Sequence, residues 1–233
     1  MSAPDTNKAE VHAPVYVYEL PVRLWHWVTA PCIIILAVTG YLIGNPAWPL
    51  IAGEPFHHYI MGDIRFIHFT AAYILGIGFL LRVYWALVGN RYAKEIFVLA
   101  VWRKSWWHEL FQTLRWYSFQ KSEPMREVGH NPVAQLAIFA VFVLGVLFQL
   151  VTGFALYGEG AGGWSHTLFT SWVIPLLGGS MEVHTWHHLA MWYILIFVIA
   201  HIYLVIREDV MSRQTMVSTM ISGWRYFKDG KSS

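Results

Sequence analysis

Apolar residues fall into four long runs along the chain, separated by polar and charged connections. The runs cover about residues 24–44, 64–88, 133–157 and 187–206. Each is close to the roughly 20 residues that an α-helix needs to cross a hydrocarbon core about 30 Å thick. The pattern therefore predicts an all-α integral membrane protein, in which the whole chain, 1–233, forms a single four-transmembrane-helix bundle.

Two shorter apolar segments do not fit a membrane span. Residues 95–118 contain four tryptophans but are interrupted by charged residues such as Arg103 and Glu109. This mixture is typical of a helix that lies in the headgroup layer, so we expect a cytoplasmic interfacial segment there. Residues 164–178 are too short to span and contain Pro175, which favours a surface helix or a re-entrant piece.

Composition supports a membrane location and excludes several kinds of site. Hydrophobic residues make up 56% of the chain and charged residues 13%, whereas a soluble domain is about a quarter charged. Cys32 is the only cysteine. This excludes an internal disulfide, a thiolate zinc site and the Cys-x-x-Cys-His motif that attaches c-type haem. The first 20 residues contain no continuous apolar core, so no cleaved signal is expected.

The distribution of basic residues predicts the orientation. All but two of the 16 lysines and arginines lie in the N-terminal part, in the 90–131 connection or in the C-terminal tail. The connections 45–62 and 158–186 contain no lysine or arginine. Basic residues near helix ends are retained on the cytoplasmic side. We therefore expect both termini to be cytoplasmic.

Histidines are the main candidates for chemistry, because ionisable residues inside a membrane span are costly and usually functional. The candidate ligands in the predicted spans are His26, His68, His187 and His201, and His188 also lies in the fourth run. His187 and His201 are 14 residues apart, which places them about 21 Å apart and within about 40° on one helix face. His188 and His184 deviate from the face of His201 by about 140° and about 100°.

The depths of these histidines form two pairs. With a cytoplasmic N-terminus, His26 lies at the inner level of His201, and His68 lies at the outer level of His187. Two neutral imidazoles from facing helices are an axial ligand set for an electron-transfer haem. The sequence therefore predicts two non-covalent haem b groups, with His26 and His201 on the inner iron and His68 and His187 on the outer iron.

Other residues near these histidines leave alternatives open. Arg23, Arg65 and Arg207 lie beside the predicted ligands and could pair with haem propionates, although topology signalling or snorkelling explains Arg23 and Arg207 equally well. The sequence also contains a weak internal echo, VTGYLI at 38–43 and VTGFAL at 151–156. Its glycines suit either close helix packing or room for a flat macrocycle.

Motifs around the histidines form a specific set. They are PVRLWHWVTA (21–30), GDIRFIHFTAAY (62–73), VWRKSWW (101–107), GHNPVAQ (129–135) and MEVHTWHHLAMW (181–192). With them, the sequence closely resembles the b-type cytochrome subunit of membrane-bound nickel-iron uptake hydrogenases. In that family the four haem-binding histidines match His26, His68, His187 and His201.

The resemblance implies the partners, the reaction and the location. The small and large subunits of a nickel-iron hydrogenase would lie on the periplasmic side. Aromatic residues are the usual anchors of an interface, so the composition of the outer connections predicts docking there, with Trp48, His57, His58, Trp164 and Trp172 available for contact. Electrons would pass through the outer and inner haems to quinone, so the chain is an electron-transfer subunit of a hydrogen:quinone oxidoreductase without hydrogen-splitting chemistry. The expected location is the bacterial cytoplasmic (inner) membrane, with lipid around the chain and no nucleic-acid partner.

Quinone reduction is expected at the cytoplasmic side, because electrons from outside use both haems only if they leave beside the inner one. The candidate residues at that depth are Arg23, Trp25, Tyr203, Arg207 and Glu208. Each of them also suits an interface anchor or a propionate partner.

Three alternative functions remain open at this point. One is the gamma-type cytochrome b subunit of a periplasmic formate dehydrogenase, which shares the four-histidine plan. Another is a free-standing b561-type quinol oxidoreductase. The third is a haem-free anchor or transporter whose histidines bind protons or metal.

Overall fold

The computed structural model describes residues 14–47, 59–121, 128–212 and 215–226. This part of the chain is almost entirely helical. The helices are α1 (Leu20–Gly44), α2 (Ile60–Val88), α3 (Lys104–Tyr117), α4 (Pro132–Ala161), α5 (163–176), α6 (Ser180–Ser212) and α7 (Met216–Ser222). Two short strands, β1 (Val15–Tyr16) and β2 (Trp224–Arg225), complete the structure.

The four predicted spans are confirmed as long apolar helices. Within the described ranges, α1, α2, α4 and α6 are the four helices long and apolar enough to cross a membrane. Each contains one predicted run and extends beyond it, most clearly α6, which begins seven residues before 187. A helix does not need apolar residues once it leaves the hydrocarbon core, so it continues into the headgroup layer.

The segment predicted at 95–118 is helical only over α3, Lys104–Tyr117. The preceding residues form turns, which begin where the side-chain oxygen of Asn90 accepts hydrogen bonds from the backbone N–H groups of Tyr92 and Ala93. Along α3, Trp106, Leu110, Thr113 and Trp116 are buried. This spacing gives the helix one buried face, as expected for an amphipathic surface helix.

The spanning helices pack as two pairs that share one core. α1 packs mainly against α2, α4 packs against α5 and α6, and α1 also contacts α6. The shared core contains Cys32, Leu75, Phe142, Val146 and Ile194 from all four helices. Only 11–33% of each spanning window is buried, so apolar side chains cover the outside of the bundle. Lipid tails are the solvent that such a surface requires.

The described ends of the chain meet at one end of the bundle. β1 pairs antiparallel with β2, with Val15 opposite Arg225. Arg23 of α1 donates a hydrogen bond to the backbone carbonyl of Ile221, and Trp27 donates to that of Met220 over 3.0 Å. Four membrane crossings return the chain to the side on which it began. We call this end the inner end, and the opposite end, with α5, the outer end.

Candidate functional site

His26 of α1 and His201 of α6 face each other near the inner end. Their ring centroids are 6.4 Å apart and the ring planes are inclined by 52°. Metal–imidazole nitrogen bonds are about 2 Å long, so two rings on opposite sides of one metal have centroids roughly 6 Å apart once a ring radius is added on each side. The spacing of His26 and His201 therefore fits one iron between them.

His68 and His187, near the outer end, are each held by a threonine of the neighbouring helix. His68 of α2 places Nδ1 at 2.8 Å from the hydroxyl oxygen of Thr39 on α1. His187 of α6 places Nδ1 at 2.8 Å from the hydroxyl oxygen of Thr152 on α4. The two contacts are equivalent in atoms and in length, and each one joins the two helices of a packed pair.

These threonines determine which ring nitrogen carries the proton. Each hydroxyl donates its single proton to the carbonyl four residues earlier in its own helix, at 2.6 Å for Thr39 and 2.7 Å for Thr152. The hydroxyl oxygen can then only accept from the histidine, so Nδ1 carries the hydrogen and Nε2 carries the lone pair. This is the tautomer of a histidine that binds metal through Nε2 while its other ring nitrogen donates a hydrogen bond.

The glycine that follows each threonine leaves space for the histidine ring that the threonine contacts, Gly40 for His68 and Gly153 for His187. A Cβ added to Gly40 would lie 3.2 Å from Cε1 of His68, and one added to Gly153 would lie 3.1 Å from Cε1 of His187. Both distances are tighter than an ordinary carbon contact, so a side chain here would push the ring away. Each Val-Thr-Gly repeat, at 38–40 and 151–153, therefore supplies the hydrogen-bond acceptor and the space for the ring of one outer histidine. We call the threonine and glycine of each repeat the seat of that histidine. The repeat is visible in the sequence, but its role depends on contacts between helices, which the sequence pattern does not reveal.

We expect the Thr39→Val and Thr152→Val variants to bind haem more weakly by about 10- to 100-fold, as is common when a hydrogen-bond partner of a ligating histidine is lost. The change removes the oxygen and nearly preserves the shape. Thr39→Ser and Thr152→Ser retain the oxygen and should bind like the parent. Haem titration of the purified variants measures this, and equal affinity in the valine and serine variants would contradict the role of the hydroxyls.

The neighbours of His187 make different contacts. His188 packs against α1, where a Cβ on Gly44 would lie 3.2 Å from its ring. The Nδ1 atom of His184 lies 2.8 Å from the backbone carbonyl of Ser180. Neither shares the seat that Thr152 and Gly153 form for His187.

The three arginines predicted beside the haems make the following contacts. Arg23 donates to the carbonyl of Ile221. The guanidinium carbon of Arg207 lies 4.5 Å from the ring centroid of Trp116. Arg65 is exposed. Arg23 and Arg207 thus bind the inner end of the bundle together, and a role with propionates stays a prediction for all three.

The residues predicted to contact quinone are dispersed around the inner end. The indole nitrogen of Trp25 is buried and has no hydrogen-bond partner among the described residues. Tyr203 is 60% exposed on the outside of the bundle. Glu208 is buried and accepts a hydrogen bond from the hydroxyl of Tyr117 over 3.1 Å. Burial, followed by the charge of Glu208, raises the pKa of Tyr117 above its usual range, so this hydroxyl keeps its proton.

Tyr18, Glu95 and His130 form a polar cluster that joins the N-terminal segment to the motif at 129–135. His130 donates its backbone N–H to Glu95 over 3.0 Å, and its Nδ1 lies 3.2 Å from the same carboxylate. The hydroxyl of Tyr18 lies 3.2 Å from Nδ1 and 3.4 Å from Nε2 of His130. Burial, followed by the charge of Glu95, raises the pKa of Tyr18 above its usual range. The hydroxyl of Tyr18 therefore keeps its proton and can donate a hydrogen bond. Through Tyr18, Glu95 and His130, the segment before α1 is joined to the 90–131 connection at the inner end of the bundle.

Comparisons with known proteins agree with this arrangement. Residues 17–223 match the family described as prokaryotic cytochrome b561. The probable Ni/Fe-hydrogenase B-type cytochrome subunit of Azotobacter vinelandii is 56% identical, over 97% of this chain and 94% of its own length. The corresponding protein of Cupriavidus necator is 55% identical, over 92% and 88%. The probable Ni/Fe-hydrogenase 1 B-type cytochrome subunit of Escherichia coli K12 is 46% identical, over 94% and 93%.

Proposed function

Since the chain belongs to the prokaryotic cytochrome b561 family, we propose that it carries electrons from a periplasmic nickel-iron hydrogenase across the bilayer to the quinone pool. The names of its relatives support a hydrogenase-associated, b-type cytochrome subunit. The chain would act as the membrane anchor and electron-transfer subunit of the complex, in the bacterial inner membrane.

The observation that carries this proposal is the placement of two histidine pairs at opposite ends of one bundle. At the inner end His26 and His201 are spaced for one metal, with ring centroids 6.4 Å apart. At the outer end His68 and His187 present the metal-binding tautomer from matching seats. His26 with His201, and His68 with His187, would each hold one haem b, which would supply one-electron redox chemistry.

The proposed orientation rests on charge. The inner end carries β1, β2 and the 90–131 connection, where the basic residues are concentrated. The positive-inside rule then assigns this end to the cytoplasm. The hydrogenase would dock at the outer end, where Trp164 and Trp172 of α5 are about half exposed. The other predicted contacts, Trp48, His57 and His58, lie outside the described residues.

Quinone would be reduced at the inner end, beside the histidine pair formed by His26 and His201. Trp25, adjacent in sequence to His26, has a buried indole N–H available to a quinone carbonyl. Glu208, joined to Tyr117, is the buried carboxyl at this end that could relay protons. Tyr203 points outward and is better placed to contact quinone arriving from the lipid.

The direct test is purification of the chain from native membranes without cross-linking, with haem quantitation and mass spectrometry of the proteins that accompany it. We expect two haem b per chain and both hydrogenase subunits. Formate dehydrogenase subunits in their place would support the first alternative. A monomeric chain that oxidises quinol by itself would support the free-standing cytochrome, and a chain without haem would contradict the proposal.

A further inference from the structure

Arg82 is a buried cation inside a spanning helix, away from the predicted haem ligands and the other predicted site residues in sequence. It lies on α2 and is only 2% exposed. Its guanidinium carbon lies 5.4 Å from the ring centroid of Trp25 and 5.2 Å from that of Phe97. Two aromatic rings therefore hold the guanidinium by cation–π contacts.

Two of the three guanidinium nitrogens of Arg82 have no hydrogen-bond partner in the part of the chain that the structure describes. These are the Nε and Nη1 atoms, and both are buried. A buried charge without an ionic partner is costly, and aromatic faces offset only part of that cost. A leucine or methionine would fill the same space without the penalty, so an arginine here indicates an anionic ligand.

The position of Arg82 on α2 shows where that ligand would be. Arg82 follows His68 by 14 residues, as His201 follows His187. Fourteen residues advance a helix by about 21 Å and return to within about 40° of the same face. The face of α2 that carries an outer histidine thus carries Arg82 at the level of the inner pair. Its neighbour Trp25 directly precedes His26.

We propose that Arg82 binds a propionate carboxylate of the haem held by His26 and His201. This rests on the proposed function, because it requires that haem. The free N–H groups of Arg82 would donate charge-assisted hydrogen bonds to the carboxylate. Arg23 donates to Ile221 and keeps one buried nitrogen, Nε, without a partner among the described residues, whereas Arg82 keeps two. The same positive charge favours the reduced inner haem and so favours inward electron transfer.

The test compares Arg82→Met and Arg82→Lys in the whole complex by redox titration of the two haem spectra. In Arg82→Met we expect the reduction equilibrium of the inner haem to shift about tenfold towards the oxidised form, about 59 mV for one electron. The outer haem should not change. Arg82→Lys should recover most of the shift, because it retains the charge. Arg115→Met, at an exposed arginine of α3, removes the same charge and should leave the inner haem unchanged.

A second measurement separates propionate binding from a packing role. Infrared redox-difference spectra of complex containing haem labelled with ¹³C at the propionates should show an inner-haem carboxylate band that moves in Arg82→Met and, to a lesser extent, in Arg82→Lys. Unchanged bands with an unchanged inner potential would overturn the proposal. If Arg82→Met does not assemble, an unchanged band in Arg82→Lys is sufficient to overturn it. Parent complex without haem would instead refute the proposed function.

Discussion

Replacing His187 by alanine is expected to lower the haem content from two per chain to about one and to stop hydrogen-driven quinone reduction. In the proposed arrangement the outer iron would lose one of its two protein ligands, and the seat formed by Thr152 and Gly153 loses the ring that fills it. His68→Ala should give the same result from the opposite side. His26→Ala and His201→Ala should remove mainly the inner haem. Pyridine haemochrome quantitation and redox-difference spectra of the purified variants measure these losses.

His188→Ala is the matched control, because it removes an adjacent histidine from the same helix. His188 packs against Gly44 and does not share the seat of His187. The control should retain both haems and most of the activity. A variant of His187 that kept both haems, together with loss of one in His188→Ala, would show that the outer ligand had been assigned to the wrong histidine.

Hydrogen oxidation in sealed proteoliposomes that contain the complex and quinone is expected to generate a membrane potential without an added proton carrier. Electrons would enter at the outer end and meet cytoplasmic protons at the inner end, so each turnover moves charge across the bilayer. His201→Ala should abolish both the potential and the quinone reduction, because the inner pair is the exit in this scheme. A potential-sensitive dye and quinone absorbance, followed together in vesicles of known orientation, provide the measurement.

Reduction of quinone at the outer end would give a different result in the same vesicles. If quinone were reduced at the outer end, reduction would proceed without charge separation and would survive loss of the inner haem in His201→Ala. A protonophore supplies the control, since it should collapse the potential and leave quinone reduction running.

The four spans were predictable from the sequence because the constraint on them is one-dimensional. A helix in lipid must be apolar over about 20 residues, and that length can be counted without knowing any contact. The spacing of 14 residues between His187 and His201 follows from helix geometry in the same way. The closeness of His26 and His201 was also predicted, from depth alone, and their rings are 6.4 Å apart.

Details outside the spans were less predictable, because they depend on local polar contacts. Residues 95–118 are apolar enough to suggest one surface helix, but the helix occupies only Lys104–Tyr117. The turns before it are stabilised by Asn90, whose backbone N–H is in turn bonded to the carboxylate of Glu19 over 2.9 Å. That contact joins residues 71 positions apart, and no local pattern reveals it.

The sequence by itself determined the number of spans, the depth of each histidine and the distribution of basic charge, because these depend on position along one axis. Only the tertiary structure decided which side chains meet across helices. It placed Thr39 and Thr152 on the outer histidines and directed Arg23 to a backbone carbonyl. It also left Arg82 buried between two rings, with two donors that have no partner among the described residues. Helix rotation and packing control such contacts, since a turn of one residue moves a side chain by about 100° around the axis.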